Sequence, residues 1–355
     1  MKSALQKYKE IKINGAWSLI PIGETLKIGG ADSIRVPLLI DRLLATQDLT
    51  QRPSNRIIYS ESIAESVKKY QQRNGLETDG NLGKMTTTML NVSVDERIDQ
   101  IKINLERYRW ISKELGTHYV LVNIADYSMQ VLKNEKLTFK EKVIVGKPFR
   151  KTPVFSSKMS YMVVNPTWTV PPTILFNDIL PEVKKNPGYL ATKNIRVLQG
   201  QGSSVSIIDP YTIDWTALSR GNFPYILRQD PGPINALGVV KFMFPNQYNV
   251  YIHDTPSKEL FERSDRAFSS GCIRLNNPLS FAKYLLQEDP KWNEERLNKV
   301  IANGMEQSIM LDKPLNVHIL YLTSWVDNGQ VHFRNDLYQR DKPVLDALNS
   351  KPPSF

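Results

Sequence analysis

Tyr251-Ile252-His253-Asp254-Thr255-Pro256, followed after a short interval by Ser269-Ser270-Gly271-Cys272-Ile273-Arg274-Leu275, decides how the rest of the chain is read. Cys272 is the only cysteine. A cysteine reacts as its thiolate, and an unassisted thiol titrates near ~8.5, so it needs a neighbouring base. His253 is the candidate. It ends the segment Tyr248–His253, whose alternation predicts a strand with Val250 and Ile252 on one face and Asn249, Tyr251 and His253 on the other. The separation from Cys272 is too long for a helical i,i+4 pair and long enough for a loop that returns the thiol to the imidazole. Gly271 places a residue without a side chain beside the thiol, where backbone N–H groups must approach a reacting carbonyl oxygen. The amides of Gly271 and Cys272 are therefore candidates for an oxyanion hole. Asn277-Pro278 reads as an N-cap and first helical position, opening a helix through Leu286.

His253-Asp254-Thr255-Pro256 with Ser269-Ser270-Gly271-Cys272-Ile273-Arg274 resembles the active-site signature of the L,D-transpeptidases, the YkuD-type enzymes of bacterial cell walls. Most of that family has a second histidine directly before the Gly-Cys pair, where this chain has Ser270. The substitution matches the YcbB-like branch of the family. A composition of 41% hydrophobic and 9% aromatic residues over 355 residues suits an ordinary globular protein of two domains. No apolar run approaches the ~18–20 residues that cross a bilayer. Met1-Lys2-Ser3-Ala4-Leu5 lacks the apolar core of a signal peptide, which implies either a cytoplasmic protein or one whose export signal has been removed. Net charge is +10, but the basic residues are dispersed among acids, with no Lys/Arg block, so nucleic acid is not expected as a partner. The four histidines, at 118, 253, 318 and 332, are far apart and form no metal-ligand spacing, so no metal is expected.

The chain opens with a weakly patterned segment, residues 1–25. Arg35-Val36, Leu38-Leu39-Ile40 and Leu43-Leu44 predict a helix within 26–48, and Ile63, Val67 and Tyr70 predict a second within 60–74. Asn74-Gly75 and Asp79-Gly80 are turn formers, and Leu90-Asn91 closes the pattern. This order resembles a small helical peptidoglycan-binding module over 26–92. Ser93 and Glu96 form a capping box for a connector helix within 93–116. From His118 the period becomes two, predicting strands at 119–124, 129–132 and 141–145 with turns at 126–128 and 133–135. Helices are expected at 279–286 and 291–303, and a hairpin links 317–322 to 330–333. His318 and His332 read as solvent-facing strand residues.

The expected fold is α+β and multidomain: the small helical binding domain, then a β-sandwich catalytic domain over 117–345, then a tail, 346–355. Asn165-Pro166-Thr167-Trp168-Thr169-Val170-Pro171-Pro172 resembles the entry to the substrate-capping insertion of the YcbB-like branch, so 171–224 is expected to be a lid with one amphipathic helix and a mobile return. The resemblance implies a peptidoglycan L,D-transpeptidase that needs no cofactor and works as a monomer in the periplasm or cell envelope. Its substrates would be stem peptides, a donor tetrapeptide and an acceptor amine, with carbapenems as inhibitors. Cys272 would be the nucleophile and His253 the general base, oriented by the Asp254 carbonyl or its side chain. Ser270, Gly271 and Tyr251 would shape the oxyanion loop, and Arg274, Trp168 and Asn165 would bind substrate. An L,D-carboxypeptidase, a conventional cysteine protease and a non-catalytic wall-binding protein are the alternatives; the protease would leave the wall-binding module unexplained, and the last would be expected to have lost Cys272 or His253.

Overall fold

The computed structural model describes residues 1–111, 115–200 and 202–350, so residues 112–114 of the expected connector and 351–355 of the expected tail lie outside it. The chain divides into two compact units, residues 1–114 with 321–355, and residues 115–320.

The first unit is built, among the described residues, on six helices: α1 (Lys2–Ile13), α2 (Arg35–Ala45), α3 (Glu61–Arg73), α4 (Lys84–Leu90), α5 (Val94–Trp110) and, running into the expected tail, Asp341–Asn349. The helix expected over 26–48 is shorter at both ends. Asp32 Oδ1 accepts the N–H groups of Ile34 and Arg35, at 3.0 and 2.7 Å, and so fixes where α2 starts. Val36, Leu39, Ile40 and Leu43 of α2 meet Ile63, Val67 and Tyr70 of α3 and Leu90 of α4 in one apolar cluster. Burying each such side chain stabilises the fold by roughly 1.5–3 kcal/mol. Ser93 and Glu96 form the expected capping box, with Glu96 N–H on Ser93 Oγ at 3.2 Å and Ser93 N–H on Glu96 Oε2 at 2.9 Å.

Two features of this unit depart from the sequence reading. The segment 1–25 contains α1, whose Ala4, Leu5, Tyr8 and Ile11 lie at helical spacing and join one apolar cluster, a stripe that the weak patterning of 1–25 had hidden. The C-terminal hairpin also belongs here, pairing strands Ser324–Asp327 and Gln330–Phe333 rather than 317–322 with 330–333. Phe333 packs edge-on against Tyr8, 5.5 Å between ring centres, in a cluster with Val94, Ile98 and Ile101 of α5. That packing ends the sheet-bearing unit at residue 320, short of the expected 345. Asn328 and Gly329, both at positive φ, make the hairpin turn.

The second unit holds thirteen strands among the described residues: β1 (His118–Asn123), β2 (Ser128–Lys133), β3 (Lys136–Gly146), β4 (Phe155–Val164), β5 (Trp168–Thr169), β6 (Ile195–Gln199), β7 (Ser206–Ile208), β8 (Ile226–Gln229), β9 (Val240–Met243), β10 (Ile252–His253), β11 (Ala267–Ser269), β12 (Ile273–Leu275) and β13 (Gln307–Leu320). The main sheet runs β11-β3-β12-β10-β9-β4-β13-β1-β2, and β2 pairs in turn with β3. The sheet of the catalytic region is thus one hydrogen-bonded circuit. β3 closes it, because its first part pairs with β2 while Val143 and Ile144 pair with β12. Phe242 of β9 packs on Phe281 of the helix Pro278–Leu286, 4.8 Å between ring centres, which covers this face of β9 and β10. His318 is buried in β13, hydrogen-bonded to Ser156 Oγ at 2.8 Å and the Leu115 carbonyl at 3.1 Å, not solvent-facing as its alternation suggested.

Residues 168–229 carry a second sheet, β5-β8-β6-β7. A nearly continuous helical stretch, Pro172–Ile174, Leu175–Ile179 and Leu180–Lys185, lies between its strands β5 and β6. Leu175, Ile179 and Val183 pack with Val197, Trp215 and Leu227. The glycine- and serine-bearing return expected to be a mobile loop is therefore a small packed module with a buried tryptophan.

Candidate active site

β10 and β12 are parallel neighbours, with Ile252 opposite Ile273 and His253 opposite Arg274. Ile252 and Ile273 are fully buried in the core. Because side chains alternate along a strand, Tyr251 and His253 of one segment and Cys272 and Arg274 of the other share the opposite face. The strand expected over 248–253 is only two residues long. Asn249 takes φ +53°, in the left-handed region, which breaks the extension and turns its carbonyl toward the site.

His253 is buried, and its Nδ1 donates to the Asp254 carbonyl oxygen at 2.5 Å. That bond fixes the ring and leaves Nε2 as the basic nitrogen. Asp254's carboxylate is engaged elsewhere, accepting from the Val239 N–H at 2.9 Å and from Lys258 at 2.5 Å, so the carbonyl orients the imidazole. Gly238, at φ +58°, is obligatory there, since a Cβ would lie 2.2 Å from Asp254 Oδ2. Burial, then the positive charge of Arg274, lower the imidazole pKa to about 3, and the Asp254 carbonyl opposes them. At neutral pH the ring is uncharged and able to accept a proton.

Burial pushes the Cys272 thiol above its ordinary value. Hydrogen bonds from the Tyr251 N–H and hydroxyl to the sulfur, with the charge of Arg274, pull the other way. Tyr251's own hydroxyl is held protonated by burial and by the neighbouring sulfur. The thiol itself donates to the Asn249 carbonyl oxygen at 3.8 Å. Before it, the backbone is stitched tightly: Ser269 Oγ donates to the Cys272 carbonyl at 2.5 Å and accepts the Gly271 N–H at 3.1 Å. Thr152 Oγ1 donates to the Gly271 carbonyl at 2.8 Å. Gly271 holds φ +120°, a conformation that side chains strain. Its N–H, expected as an oxyanion donor, is already committed to Ser269.

Ser270, standing where a histidine is common in such signatures, has an exposed hydroxyl that accepts from Arg150 Nη1 at 2.9 Å. The same guanidinium forks onto Asp178, at 2.5 and 2.8 Å. Asp178 belongs to the helical stretch of the 168–229 module, so Arg150 clasps that module to the loop before Cys272. The remaining candidates separate. Arg274 lies on the Cys272 face, whereas Asn165 is buried away from it, donating through Nδ2 to the carbonyls of Val300, Ile301 and Met305 at 3.0–3.2 Å. Asn165 caps the end of the helix Glu294–Ala302, which is a structural task and not substrate binding. Trp168 packs against the core of the 168–229 module. Sequence reasoning passed over Ser269, Arg150 and Lys241. Lys241 carries a signal in hindsight, as one cation inside the apolar strand Val240-Lys241-Phe242; Arg150 carries none.

Residues 117–300 match the family model described as "L,D-transpeptidase catalytic domain", and residues 43–90 match one described as "Putative peptidoglycan binding domain". A protein of Haemophilus influenzae named "Putative L,D-transpeptidase" is 38% identical over 225 residues, which cover 63% of this chain and 45% of that protein. This chain thus matches less than half the length of that relative. Among solved structures, an L,D-transpeptidase from Stackebrandtia nassauensis is 14% identical over 86% of this chain and 97% of its own, with a TM-score of 0.30. Another from Mycobacterium smegmatis is 10% identical over 57% and 58%, with a TM-score of 0.27. Superpositions this loose transfer no individual side chain. The family model, spanning more than half of the sequence and containing His253 and Cys272, establishes that the chain belongs to the L,D-transpeptidase family and carries a peptidoglycan-binding domain ahead of its catalytic domain.

Proposed function

We propose that this protein is a cell-envelope enzyme of the YcbB-like branch that crosslinks peptidoglycan stems through a thioester on Cys272. The observation that carries the reading is the shared face of β10 and β12, which brings an oriented neutral imidazole and the only thiol of the chain to one site. His253 Nε2 takes the thiol proton, and the thiolate attacks the carbonyl joining a diamino acid to terminal D-alanine. The Tyr251 hydroxyl and the Cys272 N–H stabilise the oxyanion, in place of the committed Gly271 amide. The C–N bond breaks, the imidazolium protonates the departing amine, and an acyl thioester remains. An amine of a second stem then gives its proton to His253 and attacks the thioester. The C–S bond breaks, the thiolate regains the proton, and the third residues of two stems are joined. No helix among the described residues is long and apolar enough to cross a membrane.

Chromatography of defined muropeptides after incubation tests the reaction. Crosslinked dimers with stoichiometric free D-alanine are expected; tripeptides alone would make the enzyme a carboxypeptidase, and unchanged stems would refute the assignment.

The 168–229 module serves as the lid over the stem-peptide groove, supported by the Arg150 clasp between Asp178 and Ser270. Charge-assisted bonds to a half-buried fork contribute about 1.5 kcal/mol or more. Arg150→Ala is expected to slow acylation by a tetrapeptide about tenfold while changing alkylation of Cys272 by iodoacetamide less than threefold. Equal losses with both reagents would mean that Arg150 only supports the loop.

A further inference from the structure

One row of side chains across three strands sets two cations, unused by the chemistry above, on either side of the catalytic imidazole. Lys241 of β9 stands directly opposite His253 of β10, which stands opposite Arg274 of β12. Residues directly opposite on paired strands project to the same face, so a lysine and an arginine flank the imidazole, their Cα atoms about 10 Å apart at the usual strand spacing. Both charges act on the ring between them. Both are partly buried, yet neither is neutralised. Arg274 Nε is buried with no hydrogen-bond partner, and among the described residues the Lys241 ammonium makes no ion pair or hydrogen bond.

The acids that face this row are otherwise occupied or remote. Asp254 is taken by Lys258 and the Val239 N–H. Glu306, the acid that acts on Lys241, accepts the Thr167 N–H at 2.5 Å and the Thr167 hydroxyl at 2.8 Å. Glu259, the one acting on Arg274, is exposed. Burial holds the Lys241 ammonium below its ordinary pKa, and the charge of Glu306 opposes that shift without bonding to it. Two partly buried cations with no anion bonded to either cost stability, and sites that tolerate this cost are commonly built for an anionic ligand.

Given the acyl transfer proposed above, we infer that Lys241 and Arg274 bind the free terminal carboxylate of the residue that the enzyme expels. The distances suit it. Cys272 and Arg274 are two residues apart, about 6.6 Å along the strand. A terminal carboxylate lies one residue beyond the scissile carbonyl, within about 4 Å of it. A carboxylate over the row therefore sets the scissile carbon above the sulfur. The pair measures where the chain ends, which makes the enzyme cut one residue from a free C-terminus and ignore internal peptide bonds. It also places a negative charge beside His253, whose low basicity in the free enzyme comes partly from Arg274 and Lys241.

The test compares two synthetic donors with the full-length protein: a tetrapeptide stem ending in a free carboxylate, and the same stem ending in a carboxamide. The rate read is release of the terminal residue. Charge-assisted hydrogen bonds of this kind correspond to roughly 10–100-fold. Wild type should prefer the acid by that factor, although the carboxamide's amine is the better leaving group. Lys241→Met should lose about 10–100-fold on the acid and far less on the amide, and Lys241→Arg should keep most of the acid rate. Equal rates for the two donors in wild type would overturn the carboxylate subsite whether or not the variants fold. Equal losses of Lys241→Met on both donors would reduce Lys241 to a structural role and overturn it too. If neither donor acylates the wild-type thiol, the transpeptidase reading fails, and the subsite with it.

Discussion

Incubated with a carbapenem, the wild-type protein is expected to gain the mass of one drug molecule, and Cys272→Ala none. A strained β-lactam carbonyl needs only a thiolate, a base and an oxyanion site, so it probes the chemistry without requiring the full stem-peptide groove. The substitution should not disturb the fold. Cys272 is only partly buried, and the contact that holds its loop, from Ser269 Oγ, goes to its main-chain carbonyl. Loss of the adduct with unchanged circular dichroism therefore reads as loss of the nucleophile. An adduct of full stoichiometry on Cys272→Ala would remove Cys272 from the mechanism.

His253→Gln is expected to slow acylation by about 10²–10⁴-fold, the usual contribution of a positioned general base. Glutamine is polar and close in size, but it cannot take the thiol proton. The same variant separates chemistry from stability. Buried His253 titrates near about 3 in the folded protein, against roughly 6.5 in an unfolded chain. Below pH 6.5 the unfolded chain binds a proton that the folded protein refuses. The stability linked to this group is thus fully present above about pH 6.5 and is lost as pH falls toward 3. Melting temperatures of wild type should fall more steeply than those of His253→Gln between pH 6.5 and 4. Parallel curves would place the imidazole in a more solvated setting than the fold gives it.

Local chemistry was the most legible part of the sequence. The capping box at Ser93 and Glu96, the turn at Asn328-Gly329 and the alternation in β1 and β2 are set by neighbours a few residues apart, and each stands where the pattern put it. The same holds for the residues of the site that share a strand: alternation alone put Tyr251 and His253 on one face, and the pairing of β10 with β12 added Cys272 and Arg274. Hidden features depend on distant partners. Helix α1 fully buries a single tyrosine, and the partners it packs on, Val94, Ile98 and Ile101 of α5 and Phe333, lie far along the chain. The sheet inside 168–229 joins strands too short and too interrupted by turns to show a period. Asn165 looked like a pocket residue because prolines and a tryptophan surround it, yet its amide caps a helix more than a hundred residues downstream. The clasp from Arg150 to Asp178 and Ser270 joins three segments that nothing in the sequence links.

Every later step of the reaction rests on a thioester at Cys272 formed with expulsion of one residue. Intact-protein mass spectrometry on acid-quenched enzyme, after brief exposure to a tetrapeptide stem without acceptor, tests it most directly. The expected adduct has the mass of the stem less its D-alanine, maps on digestion to the peptide containing Cys272, and disappears when an amine acceptor is added, with a crosslinked product in its place. Release of D-alanine with no adduct on that peptide at any quench time, or an adduct retaining the D-alanine, would contradict the account.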